Sequence, residues 1–186
     1  MIESENPLAI RSKKWIATAL VDLMQEKPFG KITIQEIAKK AELDRRTFYR
    51  NFESKEDILK FYIYQLSTEY TDVLQNEKAL SIPTSLLIFC EVAYKHKEFI
   101  SLLIQNDLSI LFLGVFDEVL PTVHEKIQDK FAGTTGANDL ANLDYVFAYN
   151  AGGFWNILNK WFADGNVLSP SQIANIVATL VEKMFQ

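Results

Sequence analysis

Three helix-start signals crowd the stretch between Thr33 and Asp57. Thr33 is followed at the right offset by Glu36, Asp44 stands before a basic run, and Ser54 is matched by Asp57. A Thr, Asp or Ser at an N-cap accepts a hydrogen bond from a free N–H of the first helical turn, and an acidic residue three positions on can bond back to the cap. Caps this close leave room for only two short helices, Thr33–Lys40 and Asp44–Asn51. A long helix follows, from Ser54 to about Asn76. Two short helices joined by Ala41-Glu42-Leu43 have the proportions of a helix-turn-helix.

The rest of the chain is also helical in pattern. Leu8 to Glu26 repeats apolar residues at Ile10, Ile16, Leu20 and Leu23, the spacing of an amphipathic helix. Lys27-Pro28-Phe29-Gly30 stops it. Ile82–Asp129 reads as further helices broken near Pro83, His96 and Asn106-Asp107. Phe131–Asn138 has the composition of a flexible loop, and Asp139 caps a helix to about Ala163. Asp164-Gly165-Asn166 breaks that helix, and Ser169-Pro170 opens the last one with Pro at its first position. No segment alternates as a strand does. The predicted fold is all-α with about nine helices, a head at 1–53 and a helical body at 54–186.

Charge divides at the same place. Residues 1–60 hold 12 Lys+Arg against 10 Asp+Glu, whereas the remainder holds 7 against 14. A positive head on an acidic body suggests a nucleic-acid-facing surface, although +2 by itself also suits solvated helix faces. Cys90 is the one cysteine, which excludes an intramolecular disulfide and a cysteine-based zinc site. It reads as a buried small hydrophobe. Asp22 and Glu26 interrupt the first apolar run, unlike a signal peptide, and no stretch approaches a membrane span. These features predict a cytoplasmic protein with no membrane partner. A Gly-rich phosphate loop, G-x-S-x-G and HExxH are all absent. His96 and His124 lack a metal-ligand spacing and read as surface or capping residues. No catalytic residue, cofactor or metal is expected.

The second short helix carries the chemistry. Phe48 and Phe52, four apart, share its inward face, while Arg46 and Arg50 point outward with Arg45 and Tyr49 beside them. Ile37, Ala38, Ala41, Leu43 and Phe48 would form the small shared core. An exposed guanidinium can bond guanine O6 and N7 together, or hold a phosphate. Tyr49 offers a hydroxyl and a ring edge, and Lys55 adds an ammonium at the free N–H groups of a helix start, a suitable phosphate site.

The segment TIQEIAKKAELDRRTFYRNFESKEDIL resembles the DNA-binding region of TetR-type (tetracycline-repressor-like) transcriptional regulators. The match rests on the I-A of its first helix, the T-F-Y of its second, Phe52 and the following S-K-E. GGFWNILNKWFADGNVLSP is similar to the end of the penultimate helix in many members, particularly those of low-GC Gram-positive bacteria. The resemblance implies double-stranded operator DNA as a partner and a body that binds a ligand and dimerises. It places Thr33 and Gln35 at phosphate or base contacts, and Arg45, Arg46 and Thr47 at base edges. It places Tyr49, Asn51 and Lys55 at the backbone, with Arg50 a variable neighbour. Two departures stand out: Glu42 replaces a turn Gly common in the family, and Arg46 replaces a small residue.

In the body, Leu143, Phe147, Ala151, Phe154, Leu158 and Trp161 recur at helical spacing, and Ala148, Gly152, Trp155 and Asn159 form an adjacent face. Two apolar faces need two partners. The resemblance implies that the last two helices pair with those of a second subunit, with Ile173, Val177, Leu180 and Met184 supplying the last helix. The alternative, one monomeric core enclosing both faces, stays open. Phe61, Tyr64, Tyr94, Phe99, Phe112, Phe116, Tyr145 and Phe147 could line a pocket for a small apolar or aromatic effector, or be ordinary core. The predicted function is a homodimeric repressor released by such an effector. The alternative is a DNA-binding regulator whose body docks a protein coregulator.

Overall fold

The computed structural model describes residues 7–78, 80–127 and 143–184. Among them the chain forms nine α-helices and no strand. The head consists of α1 (Pro7–Glu26), a 3-10 turn at Phe29–Lys31, α2 (Ile34–Lys40) and α3 (Arg45–Asn51). A long helix, α4 (Lys55–Asn76), leads into the body of α5 (Ile82–Lys95), α6 (Lys97–Gln105), α7 (Ser109–Ile127), α8 (Leu143–Ala163) and α9 (Pro170–Met184).

The crowded caps define the head. Glu36 N–H donates to Thr33 Oγ1, and Thr33 N–H donates to Glu36 Oε2 at 2.9 Å. Thr47 N–H donates to Asp44 Oδ1 at 2.6 Å. Ser54 and Asp57 form a second reciprocal box at the start of α4. Helices of seven residues such as α2 and α3 are too short to persist alone, so packing must hold them. Ile16 and Leu20 of α1, Ile37 of α2 and Phe48 of α3 are wholly buried together. Ala38 is buried with them, while Ala41 and Leu43 pack at the edge.

Pro83 corrects one expectation. It does not break a helix but sits in the first turn of α5, behind the Ser81 cap, where a missing N–H leaves no bond unmade. The breaks at His96 and Asn106-Asp107 lie where the pattern put them. Pro121 lies inside α7 and removes the donor that the Asp117 carbonyl would have used. The turn at 164–166 places Gly165 at φ +75° and Asn166 at φ +57°. Ser169 N–H then bonds Gln172 Oε1 at 2.8 Å to open α9. The expected loop at Phe131–Asn138 and the Asp139 cap lie outside the described residues.

One apolar core runs through head and body. It contains Phe48 and Phe52 as well as Phe99, Phe112, Trp155 and Leu158. The long helix α4 joins the two parts, packing against α1 on one hand and α5 and α7 on the other. Within the body, α9 lies on α5, and α8 lies on α7. Among the described residues, no helix is long and apolar enough to cross a membrane.

Candidate functional site

The arginine-bearing face is set by what anchors its opposite side. Phe48 has no exposed surface, and its ring meets Phe52 at 6.2 Å between centroids; Phe52 in turn meets Phe61 of α4 edge-on at 5.7 Å. With that side of α3 fixed, Arg45, Arg46, Tyr49 and Arg50 are exposed. The Arg45 guanidinium donates to the Tyr49 hydroxyl at 3.1 Å and lies 5.4 Å from the centre of its ring. Tyr49, 48% exposed, therefore holds Arg45 in one direction before any ligand arrives, which lowers the ordering cost of a contact. Asp44 sits below these arginines with its carboxyl held below the usual range, chiefly by the Thr47 N–H. The cap thus stays charged and acceptor-only.

Several expected contact residues already have local bonds. Thr33 and Thr47 donate their hydroxyls to the carboxylates of Glu36 (2.9 Å) and Asp44 (3.2 Å). Asn51 Nδ2 donates to the Thr47 carbonyl at 2.7 Å. Gln35 is exposed at the first turn of α2. Lys55 departs most from expectation. Its ammonium donates to the carbonyls of Phe29 at 2.7 Å and Ile32 at 3.1 Å, and lies over the Phe29 ring. The side chain read as a phosphate ligand is folded back into the head.

Head stability also uses ion pairs that the spacing did not reveal. Lys27 donates to Glu36, and this bond, ahead of those from Thr33, holds the Glu36 carboxyl down at about 2. Lys40 donates to Glu26 at 2.7 Å, tying the end of α2 to the end of α1. At the turn, Glu42 has φ +55°, the left-handed conformation that a Gly would adopt without strain.

The eight aromatics expected at a pocket do not gather in one place. Phe112 and Phe116 line a small apolar cavity of about 30 Å³, together with Ile63, Ala93, Ile100 and Leu158. Phe99 is buried, stacked on Tyr62 at 4.0 Å. Phe61 and Tyr64 line an open groove on the outside of α4, where Tyr64 donates to Glu118 and its hydroxyl is pushed up to about 12. Tyr94 stacks on Trp161, and Tyr145 is 79% exposed. The Phe147 and Met184 side chains lie outside those described. Ser67 and Thr71, both buried in α4, bond carbonyls of their own helix. Burial pushes the Tyr70 hydroxyl and the Cys90 thiol up to about 12. His96 joins α5 to α4 through Glu69 Oε2 at 3.0 Å. Burial raises Glu69, but the bonds from Lys95 and His96 outweigh it and hold the carboxyl below its usual range.

The interface residues divide as well. Trp155, 6% exposed, meets Phe112 at 4.7 Å within the subunit. Ile173 and Val177 of α9 are buried in that same core. These three face the subunit's own interior, whereas the expectation set them between subunits. Gly152 and Asn159 are half-buried, and Ala148 and Leu180 are exposed. Tyr149 of α8 and Ile176 of α9 are exposed with them.

Comparison with known proteins places the chain. Residues 16–60 match the family described as bacterial regulatory proteins, tetR family, and residues 81–183 match its transcriptional regulator C-terminal region. A curated relative, the HTH-type dhaKLM operon transcriptional activator DhaS of Lactococcus lactis subsp. lactis, is 25% identical, covering 96% of this chain and 94% of its own. The fold is similar to that of Lin0861 from Listeria innocua, with a TM-score of 0.77 at 11% identity over 99% of this chain and 96% of that one. It is also similar to FadR from Bacillus subtilis in complex with stearoyl-CoA, with a TM-score of 0.57 at 17% identity, covering 90% of this chain and 96% of that one.

Proposed function

The chain belongs to the tetR family of bacterial regulatory proteins, and from that premise we propose that it binds operator DNA as a homodimer and represses until a small apolar or aromatic effector releases it. One observation carries the DNA reading: three arginines and Tyr49 stand exposed on α3 while Phe48 and Phe52 pin its other side. Arg46 and Arg50 read base edges or hold phosphates, and Arg45 is aimed by Tyr49. The free N–H groups at the starts of α2 and α4 take phosphates, which accept such donors.

Two copies would meet through the apolar surface that α8 and α9 leave uncovered, including Tyr145, Tyr149, Ile176 and Leu180. A two-fold dimer then requires a near-palindromic site, with half-site centres roughly 34–36 Å apart. Its place of action is the cytoplasm, where that DNA lies. Selection from random duplex DNA, with light scattering for mass, tests this reading. A two-fold-related site bound by a dimer is expected; no two-fold sequence overturns it.

The effector site is the α4–α8 cavity, and it must open. Its volume of about 30 Å³ compares with the roughly 300–1,000 Å³ of drug-sized ligand sites. The related fold of FadR, in complex with stearoyl-CoA, supports a body able to take an apolar ligand. The same closed cavity favours a second reading, in which the body docks a protein coregulator. The activator role of DhaS supports positive control under that reading.

A further inference from the structure

We propose that Asn106 is a positioning residue for DNA binding, a second tie between body and head that sets the angle of the α2–α3 pair. The bond that suggests it spans 77 residues of sequence: the Phe29 N–H donates to Asn106 Oδ1 at 2.8 Å. Phe29 opens the 3-10 turn between α1 and α2, so its N–H has no place in a helical ladder. Its ring is buried and lies 4.3 Å from the Lys55 ammonium, and its carbonyl accepts from that ammonium at 2.7 Å. Both polar ends of one residue are therefore gripped by side chains, one from α4 and one from the end of α6.

Asn106 is suited to hold rather than merely to touch. Its Nδ2 donates to the Leu102 carbonyl at 2.9 Å, which fixes the amide so that its oxygen faces Phe29; a flipped amide would set donor against donor. Its backbone closes α6, with its N–H donating to Leu102 O at 3.2 Å. Asp107 follows at φ +55°, and Leu108 N–H returns to Leu103 O at 2.9 Å. Such a closed helix end moves with its helix. On the other side, the 3-10 turn ends just before Thr33, the cap of α2.

The route has a body end as well. Ile100 and Leu103 of α6 are fully buried, and Ile100 lines the inner cavity. A displacement of that wall reaches Phe29 through one nine-residue helix, which also meets α4 where Phe99 stacks on Tyr62 at 4.0 Å. Packed helices transmit such shifts because they slide as units rather than deform.

This inference rests on the dimeric operator reading, and the experiment separates the two. Operators with one base pair added or removed between half-sites are compared with the selected site. The wild-type protein is expected to discriminate sharply. Asn106→Ala should flatten that preference by roughly tenfold, the size of coupling that single residues along such connections carry. Asn106→Asp keeps an acceptor oxygen for the Phe29 N–H but loses the donor to the Leu102 carbonyl, and should restore the preference in part. A lower Tm with unchanged spacing preference would make Asn106 a structural cap only and overturn the proposal. If Asn106→Ala does not fold, amide exchange in the wild-type protein decides: Phe29 must exchange as slowly as the core amides of α6, and fast exchange overturns the tie. Failure to select any two-fold site would instead sink the dimeric reading itself.

Discussion

The Lys55 ammonium sits 2.7 Å from the carbonyl oxygen of Phe29 and 4.3 Å from the centre of the same residue's ring. With Ile32 O as its second acceptor at 3.1 Å, it closes the 3-10 turn onto α4. Lys55→Ala should therefore cost stability, about 1.5–3 kcal/mol for hydrogen bonds made by a charged donor. The salt dependence of DNA binding should be nearly unchanged. A phosphate-binding lysine would instead lower the salt slope by about one unit on removal. Denaturant unfolding and a salt titration of operator affinity, done on one variant, distinguish the two roles.

Arg46 points the other way, exposed on α3 with Phe48 buried behind it. If it pairs with a guanine, Arg46→Ala should cost about 1–3 kcal/mol on the selected site and relax preference at one position. Binding to random duplex should fall far less. Equal weakening of both DNAs would make Arg46 a phosphate contact.

Glu42 carries the turn at φ +55°. Glu42→Gly should raise stability by about 0.5–1 kcal/mol, the left-handed strain relieved less the extra freedom of the unfolded chain. Glu42→Val should lower it, because a β-branched side chain tolerates that conformation worst. Thermal unfolding of the pair decides, and a Tm that falls for Gly would show that the turn is not strained.

The sequence made the head legible down to its caps because capping is local: Thr33–Glu36 and Ser54–Asp57 meet within one helical turn. The inward pair Phe48 and Phe52 was legible for the same reason, through helical spacing. What could not be read was long-range. Asn106 looked only like a helix stop, and nothing near Phe29 announces a partner 77 residues away. A helix-start lysine such as Lys55 has two outlets, and only the folded turn shows carbonyls within its reach. The body aromatics recur at 3.6-residue spacing whether they face a cavity, a neighbouring helix or a second subunit. Periodicity could not tell that Trp155 meets Phe112 while Tyr149 stays outside.

Acid should loosen the head through Glu36. Its carboxyl is lowered from 4.5 to about 2, chiefly by the Lys27 hydrogen bond, so the unfolded chain binds this proton more readily than the folded one. The stabilising contribution is complete above about 4.5 and is lost as pH falls through about 2. Glu36→Gln should make the pH dependence of head unfolding shallower across that window. Carboxyl titration by NMR checks the value directly, and a Glu36 midpoint near the ordinary one would remove the effect.

The effector switch can be tested at the wall of the cavity. Ala93 lines it beside Ile63 of α4, Ile100 of α6 and Phe112 of α7, so Ala93→Val adds methyl groups to about 30 Å³ of free space. Filling such a gap stabilises the closed body by about 0.5–2 kcal/mol and leaves α3 untouched. Operator affinity should stay the same. A panel of small aromatic and aliphatic compounds, screened for a raised Tm, supplies the probe. An effector releases DNA only as far as it prefers the released state, and a hundredfold loss needs about 2.7 kcal/mol of coupling. Operator DNA must then weaken binding of the probe by the same factor, because coupling is reciprocal. Calorimetry with and without operator is expected to show that reciprocity in the wild-type protein, and markedly weaker probe binding in Ala93→Val. Equal probe affinity in all four measurements would remove the internal switch and put the protein coregulator reading ahead.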